Sequence, residues 1–314
     1  MKQRLLNNGR LPPALEARLA ETYAVHSLAN EADPKAFLAA HGAEFTALVT
    51  SGTVGADAAL IEALPNLRVI SNFGVGLDKI DVAFAQSRGI AVGYTPDVLN
   101  DCVADIAFGL LLDVARGMSA ADRFVRRGNW LETAFPLARK VSGARLGLVG
   151  MGRIGRAIAQ RSSGFEMDVR YHSRRPVAEV SWRHEPSLVE LARWADFLVV
   201  ITAGGPGTRH LINAEVLDAL GPQGFLINVA RGTVVDEAAL VRALVERRIA
   251  GAGLDVFENE PQVPAELMPL DSVVLLPHIA SGTRETRQAM ADRVYDNLQF
   301  FFAEGRPVSA APPA

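Results

Sequence analysis

Short apolar runs separated by longer amphipathic stretches recur along nearly the whole of this chain, and a sequence written that way folds as repeated βα units around parallel sheets. The fold class read from it is α/β. At 314 residues the chain exceeds what one core usually serves, so two domains of roughly 100–200 residues are expected. In the first third, strands are expected at Tyr23–Leu28, Phe45–Thr50, Leu67–Phe73 and Ile90–Tyr94, with helix-like segments such as Pro12–Glu21 between them. Asp101–Arg127 reads as one long helix, carrying Val103, Ile106, Ala107, Leu110, Leu111 and Val114 at helical spacing. A second run of strands is expected near 145–150, 167–172, 196–201, 224–229, 251–255 and 273–276, followed by a long amphipathic helix over Thr283–Phe302. Such a final helix can carry the chain back to the first domain. The expected organisation is therefore a discontinuous domain of residues 1–99 plus 285–314 and a Rossmann-like domain of residues 100–284, joined by the two long helices with a cleft between them. The Pro- and Ala-rich segment Pro307–Ala314 is expected to be loosely ordered.

Composition narrows the partners. Hydrophobic residues make up 49% and charged residues 21%, enough apolar side chain for a large core, and the net charge of −3 provides no global field for nucleic acid or an anionic membrane. No apolar run approaches the roughly 18 residues of a membrane span, and the start of the chain has no long apolar run of a secretory signal. A cytoplasmic location is expected. The single cysteine, Cys102, excludes an intrachain disulfide or a cysteine-rich metal site, and its neighbours Val103, Ala104 and Ile106 mark it as a helix-packing residue. No metal site is expected.

The segment Gly150-Met151-Gly152-Arg153-Ile154-Gly155 carries G-x-G-x-x-G directly after the apolar strand near 145–150 and directly before a helix. In that context the first glycine permits a tight turn, the second lets backbone approach a pyrophosphate and the third lets helix and strand pack closely. A dinucleotide is the ligand that the spacing predicts. The next strand ends at His172 and is followed by Ser173-Arg174-Arg175, where an NAD-specific fold places an acidic residue for the ribose hydroxyls. Two guanidinium groups and a hydroxyl suit a 2′-phosphate instead, so NADPH is expected in preference to NADH.

Three further segments each follow an expected strand: Asn228-Val229-Ala230-Arg231-Gly232, Asp255-Val256-Phe257-Glu258-Asn259-Glu260-Pro261 and Leu276-Pro277-His278. Their polar residues would gather at the C-terminal edge of the sheet, where open α/β folds bind ligands. A 2-keto acid needs a cation for its carboxylate, a proton donor for its carbonyl oxygen and a hydride donor nearby. Arg231 and His278 supply the first two, and a carboxylate beside the histidine would favour the imidazolium.

With these motifs in view the chain resembles the D-isomer-specific 2-hydroxyacid dehydrogenase family, most of all its glyoxylate/hydroxypyruvate reductase and hydroxyphenylpyruvate reductase branch. The likeness runs through Asn72-Phe-Gly-Val75-Gly76-Leu-Asp78-Lys-Ile-Asp81, Tyr94-Thr-Pro-Asp97, Val103-Ala-Asp-Ile-Ala-Phe-Gly, the glycine turn and the three strand-end segments. The resemblance implies that Arg231, Glu260 and His278 form the active site. It implies also that Val75 and Gly76 offer amides to the substrate carboxylate, and that Val229 and Asp255 contact the nicotinamide half of the cofactor. The assembly it implies is a homodimer, with an arm near 120–142 exchanged between subunits. One departure stands out: where many relatives carry L-P-L-T-P-E-T, this chain has Thr202-Ala-Gly-Gly-Pro206-Gly-Thr208. Two other readings are a reductase for a larger keto acid such as hydroxyphenylpyruvate or 2-ketogluconate, and an NAD(H)-sensing corepressor of the same fold, although such a sensor has no need of the proton donor.

Overall fold

A computed structural model describes residues Lys2–Pro313. The chain forms two compact units, Met1–Leu99 with Thr283–Ala314, and Asn100–Gly282. Each is a parallel-sheet α/β domain of Rossmann-like build.

The first unit holds five parallel strands, β1 (Arg4–Asn7), β2 (Ala24–Ser27), β3 (Ala47–Ser51), β4 (Val69–Phe73) and β5 (Ala91–Gly93), in the order β2-β1-β3-β4-β5. β3 and β4 are buried at every position, as expected of strands covered on both faces. One face packs on the helix Arg284–Glu304, whose Met290, Val294, Leu298 and Phe301 are buried and whose N-cap Thr283 accepts from the Thr286 amide. β1 was not among the expected strands, because Arg4-Leu5-Leu6-Asn7 offers only two apolar residues.

The segment after this helix departs from expectation as well. Residues 309–311 are not loose: Ala310 bridges Gly93 antiparallel, the Tyr94 amide donates to the Ser309 carbonyl and the Ala311 amide to that of Val92. β5 is an edge strand with backbone groups to satisfy, and the distal segment satisfies them. Asn297, fully buried, ties both sides through the Ser309 amide and the Tyr94 carbonyl. Ala314, also within the expected loose segment, lies outside the described residues.

The second unit holds seven parallel strands in the order β12-β11-β10-β9-β6-β7-β8. These are β6 (Arg145–Val149), β7 (Asp168–His172), β8 (Arg183–His184), β9 (Phe197–Val200), β10 (Phe225–Asn228), β11 (Gly251–Leu254) and β12 (Val273–Leu275). The two-residue β8 is too short to leave a periodic signal in the sequence. The helix Asn100–Arg116 packs across β10, β11 and β12 through its apolar face, and Cys102 is buried on it.

The single helix expected over Asp101–Arg127 is instead two. Gly117 takes a left-handed conformation, with φ of 61°, and ends the first helix; Met118–Arg126 forms the second. Asp113 receives the Ser119 amide and hydroxyl and so holds the new helix start.

Candidate active site

Because all seven strands run parallel, the loops after β6, β7, β9, β10, β11 and β12 leave from one edge of the sheet. The chain winds from β6 outward to β7 and β8 and then crosses to β9 on the other side of β6. That reversal is the switch point where such sheets bind ligands.

The glycine turn sits there. Gly150 has φ of 111°, and a Cβ on it would stand 2.9 Å from the Thr202 amide nitrogen, so the turn and its contact with the loop after β9 both require glycine. A Cβ at Gly155 would lie 2.4 Å from the Gly150 carbonyl oxygen, which is how closely the helix Arg153–Ser162 crosses the turn. Gly152 caps that helix with no side-chain partner, and a Cβ there would meet nothing within 4 Å. The first-turn amides thus open onto a space that no side chain fills, which fits a pyrophosphate. Met151 is buried beneath the turn, Ile154 is half-buried and Arg153 is exposed.

Ser173, Arg174 and Arg175 follow the end of β7, with both arginines exposed and the only acid of the strand, Asp168, at its opposite end. The Ser173 hydroxyl donates to the Arg175 carbonyl at 2.6 Å.

The segment after β10 is shaped by Asn228, which is nearly fully buried. Its side chain accepts from the Ala230 amide and donates to the Arg231 carbonyl, folding the backbone back at Val229, itself buried, so that Arg231 follows the strand directly. A Cβ on Gly232 would stand 1.9 Å from the Phe257 carbonyl carbon, so this loop lies against the loop after β11. Glu260 belongs to that second loop. One of its carboxylate oxygens accepts from the Phe257 amide at 3.1 Å and the other pairs with His278 Nδ1 at 2.7 Å. Burial pushes the Glu260 carboxyl up, but the hydrogen bond and charge of His278, with the Phe257 amide and the Arg231 charge, hold it below its ordinary value. An ionised Glu260 only accepts, so Nδ1 carries a hydrogen and Nε2 is the ring nitrogen left to exchange a proton.

His278 has a left-handed backbone, with φ of 55°, a conformation costly for a side chain of its size. Asp255 maintains it. The His278 amide donates to the Asp255 carbonyl, and the two carboxylate oxygens of Asp255 accept the Ile279 and Ala280 amides at 2.7 and 2.9 Å. Burial raises the Asp255 carboxyl despite these bonds. Sequence reasoning missed this anchoring role, since the partners lie far along the chain. It also missed Glu258, which pairs with Arg209 at 2.6 Å and His210 at 3.0 Å and so ties the divergent 202–208 loop to the Glu260 loop.

In the first unit, Val75 and Gly76 lie on the loop after β4. Asn72, fully buried, donates its side-chain amide to the carbonyls of Gly74 and Gly76 at 3.1 and 2.9 Å. Those carbonyls are drawn inward. Among the described residues, no backbone carbonyl receives the Val75 or Gly76 amide. An Asn at a strand end before a glycine loop is a turn-forming signal that could have singled out Asn72.

The parallel sheet and its phosphate turn define a dinucleotide-binding α/β protein. The family model described as D-isomer specific 2-hydroxyacid dehydrogenase, NAD binding domain, matches residues 108–280. The hydroxyphenylpyruvate reductase of Plectranthus scutellarioides is 48% identical over 294 residues, covering 94% of each chain. Glyoxylate/hydroxypyruvate reductase A of Arabidopsis thaliana is 46% identical over 92% of each chain. Among solved structures, the NADPH-dependent glyoxylate/hydroxypyruvate reductase of Sinorhizobium meliloti, in complex with NADP and malonate, superimposes with a TM-score of 0.93 at 44% identity, over 99% of this chain and 97% of that one. The chain belongs to the D-isomer specific 2-hydroxyacid dehydrogenase family. It is an NAD(P)-dependent oxidoreductase. Among the described residues there is no cluster of three or more metal-ligating side chains, and no helix is long and apolar enough to cross a membrane.

Proposed function

We propose that this chain reduces a small 2-keto acid of the glyoxylate or hydroxypyruvate type to the D-2-hydroxy acid, with NADPH as reductant and His278 as proton donor. What carries this reading is the His278–Glu260 pair at the same sheet edge as the glycine turn and the Arg231 loop. A nicotinamide dinucleotide seated on that turn supplies the hydride. Arg231 takes the substrate carboxylate, and the Val75 and Gly76 amides are donors of the same kind. His278 Nε2 gives its proton to the carbonyl oxygen, while Glu260 keeps Nδ1 occupied and balances the imidazolium charge. Val229 and Asp255 flank the nicotinamide half, with Asp255 also fixing the histidine loop. The names of the relatives from Arabidopsis and Sinorhizobium support the choice of keto acid. The test is oxidation of NADPH by purified protein, followed by absorbance, with glyoxylate and with hydroxypyruvate; no turnover with either would overturn the reading.

NADPH is favoured because Arg174 and Arg175 stand where an acid would otherwise meet the ribose. A hydrogen bond to a charged group is worth about 1.5–3 kcal/mol, and about 1.4 kcal/mol is tenfold. With screening at these exposed positions, a preference of roughly ten- to a thousandfold in kcat/KM is expected. Replacing both by Ala should remove most of it by weakening NADPH alone. Equal damage to NADPH and NADH would return the arginines to the solvent.

The assembly we infer is a homodimer of a protein located in the cytoplasm. Trp130, Leu131 and Leu137 on the arm near 120–142 are 69%, 93% and 103% exposed, apolar surface that a second copy would cover. A solution mass of one chain would contradict it.

A further inference from the structure

β8 serves no part of the site described so far, yet its second residue reaches back to the loop that carries Ser173, Arg174 and Arg175. His184 pairs in parallel register with Tyr171 of β7, and its Nε2 lies 3.0 Å from the Ser173 carbonyl oxygen. A carbonyl only accepts, so Nε2 bears the hydrogen and His184 is the donor. The other end of the same loop is held too. The Val177 amide donates to the Tyr171 hydroxyl at 2.8 Å, and Tyr171 is buried with its ring 5.2 Å from that of His184. Between these ends the Ser173 hydroxyl closes on the Arg175 carbonyl. The strands themselves are locked by the Glu185 amide on the Tyr171 carbonyl and by His172 Nδ1 on the Glu185 carbonyl, 3.0 Å apart. Five residues from Ser173 to Val177 thus form a turn fixed at both ends, with two exposed guanidinium groups displayed on it.

Two long exposed side chains on a free loop would lose much of their attraction for a phosphate in becoming ordered, whereas a fixed turn has that ordering built in. We propose that His184 is a positioning residue for cofactor specificity: its hydrogen bond to the Ser173 carbonyl presets the turn that presents Arg174 and Arg175 to the 2′-phosphate. The proposal rests on the NADPH reading above. It adds a residue that touches no part of the cofactor.

The geometry selects the variants. In glutamine the side-chain nitrogen can occupy the place of Nε2, while asparagine is polar but stops near the place of Nδ1 and cannot reach the Ser173 carbonyl. The probes are 2′,5′-ADP and 5′-AMP, which differ in the 2′-phosphate alone, titrated calorimetrically into the protein without substrate. His184→Asn should weaken 2′,5′-ADP by about two- to tenfold, the worth of one neutral hydrogen bond, and leave 5′-AMP unchanged. His184→Gln should recover most of the loss. Equal weakening of both nucleotides, or no change in either, would overturn the proposal, as would an asparagine variant that binds like the glutamine one. The arginine double variant separates the two levels. If it binds 2′,5′-ADP as the wild type does, the NADPH reading fails; if it loses affinity and His184→Asn does not, the positioning role alone is lost.

Discussion

His278→Ala is expected to lose about 10²–10⁴ in kcat for keto-acid reduction, the usual contribution of a positioned general acid, with NADPH binding retained. His278 is held in place by its backbone and by Glu260 rather than by packing, and its side chain is one-third exposed, so truncation should remove the proton donor without opening a cavity. Near-normal turnover in the variant would refute the assignment. The pH dependence has a definite sign on the acid side. Glu260 is held below its ordinary value, so its pairing with His278, and any stability that contributes, is present above the ordinary carboxyl range and lost as pH falls through the lowered value. Glu260→Gln keeps the shape and removes the titrating carboxyl, so that acid-side loss should be absent from the variant's profile. An unmoved profile would break the link between the two residues.

Arg231→Lys is expected to lower kcat/KM for the keto acid sharply although the charge is retained. A guanidinium meets a carboxylate with two parallel hydrogen bonds in one plane, which an ammonium cannot reproduce. Charge-assisted hydrogen bonds are worth about 1.5–3 kcal/mol, so losing one corresponds to roughly ten- to a hundredfold. The Arg231 carbonyl is held by Asn228 and its Nη1 donates to the Ala230 carbonyl at 2.8 Å, so the side chain starts from a fixed base. Full efficiency with lysine would mean that charge attraction suffices. The NADPH constant of the variant should stay where it is.

Much of this fold is legible in the sequence because the central strands are covered on both faces. Phe197–Val200 and Phe225–Asn228 are buried throughout and read as the apolar runs Phe197–Val200 and Phe225–Ile227, so their positions and the polar residues that follow could be placed without coordinates. Strands with less to bury leave less trace. β1 shows two leucines and β8 a basic pair, Arg183-His184, and both are fixed by pairing with neighbours rather than by their own pattern. The break at Gly117 was hidden for a related reason: apolar residues continue past it, and only the left-handed turn and the Asp113 cap reveal two helices. In the candidate site, spacing and type pointed to Arg231, Glu260 and His278. The residues that hold the Arg231 and His278 loops, Asn228 and Asp255, act on backbone atoms, and no side-chain pattern records which carbonyl or amide will be near.

The way the first unit is stitched together sets an order on its making. β1 to β5 leave the ribosome before Asn100–Gly282, but Val294, Leu298 and Phe301, and the backbone at residues 309–311 that completes the β5 edge, follow only after it. The second unit is one uninterrupted segment and can close its core while synthesis continues. Through that interval the nascent first sheet carries an apolar face and an open edge, the kind of surface on which chaperones act. Of the two units, the one begun first is therefore the one that finishes last.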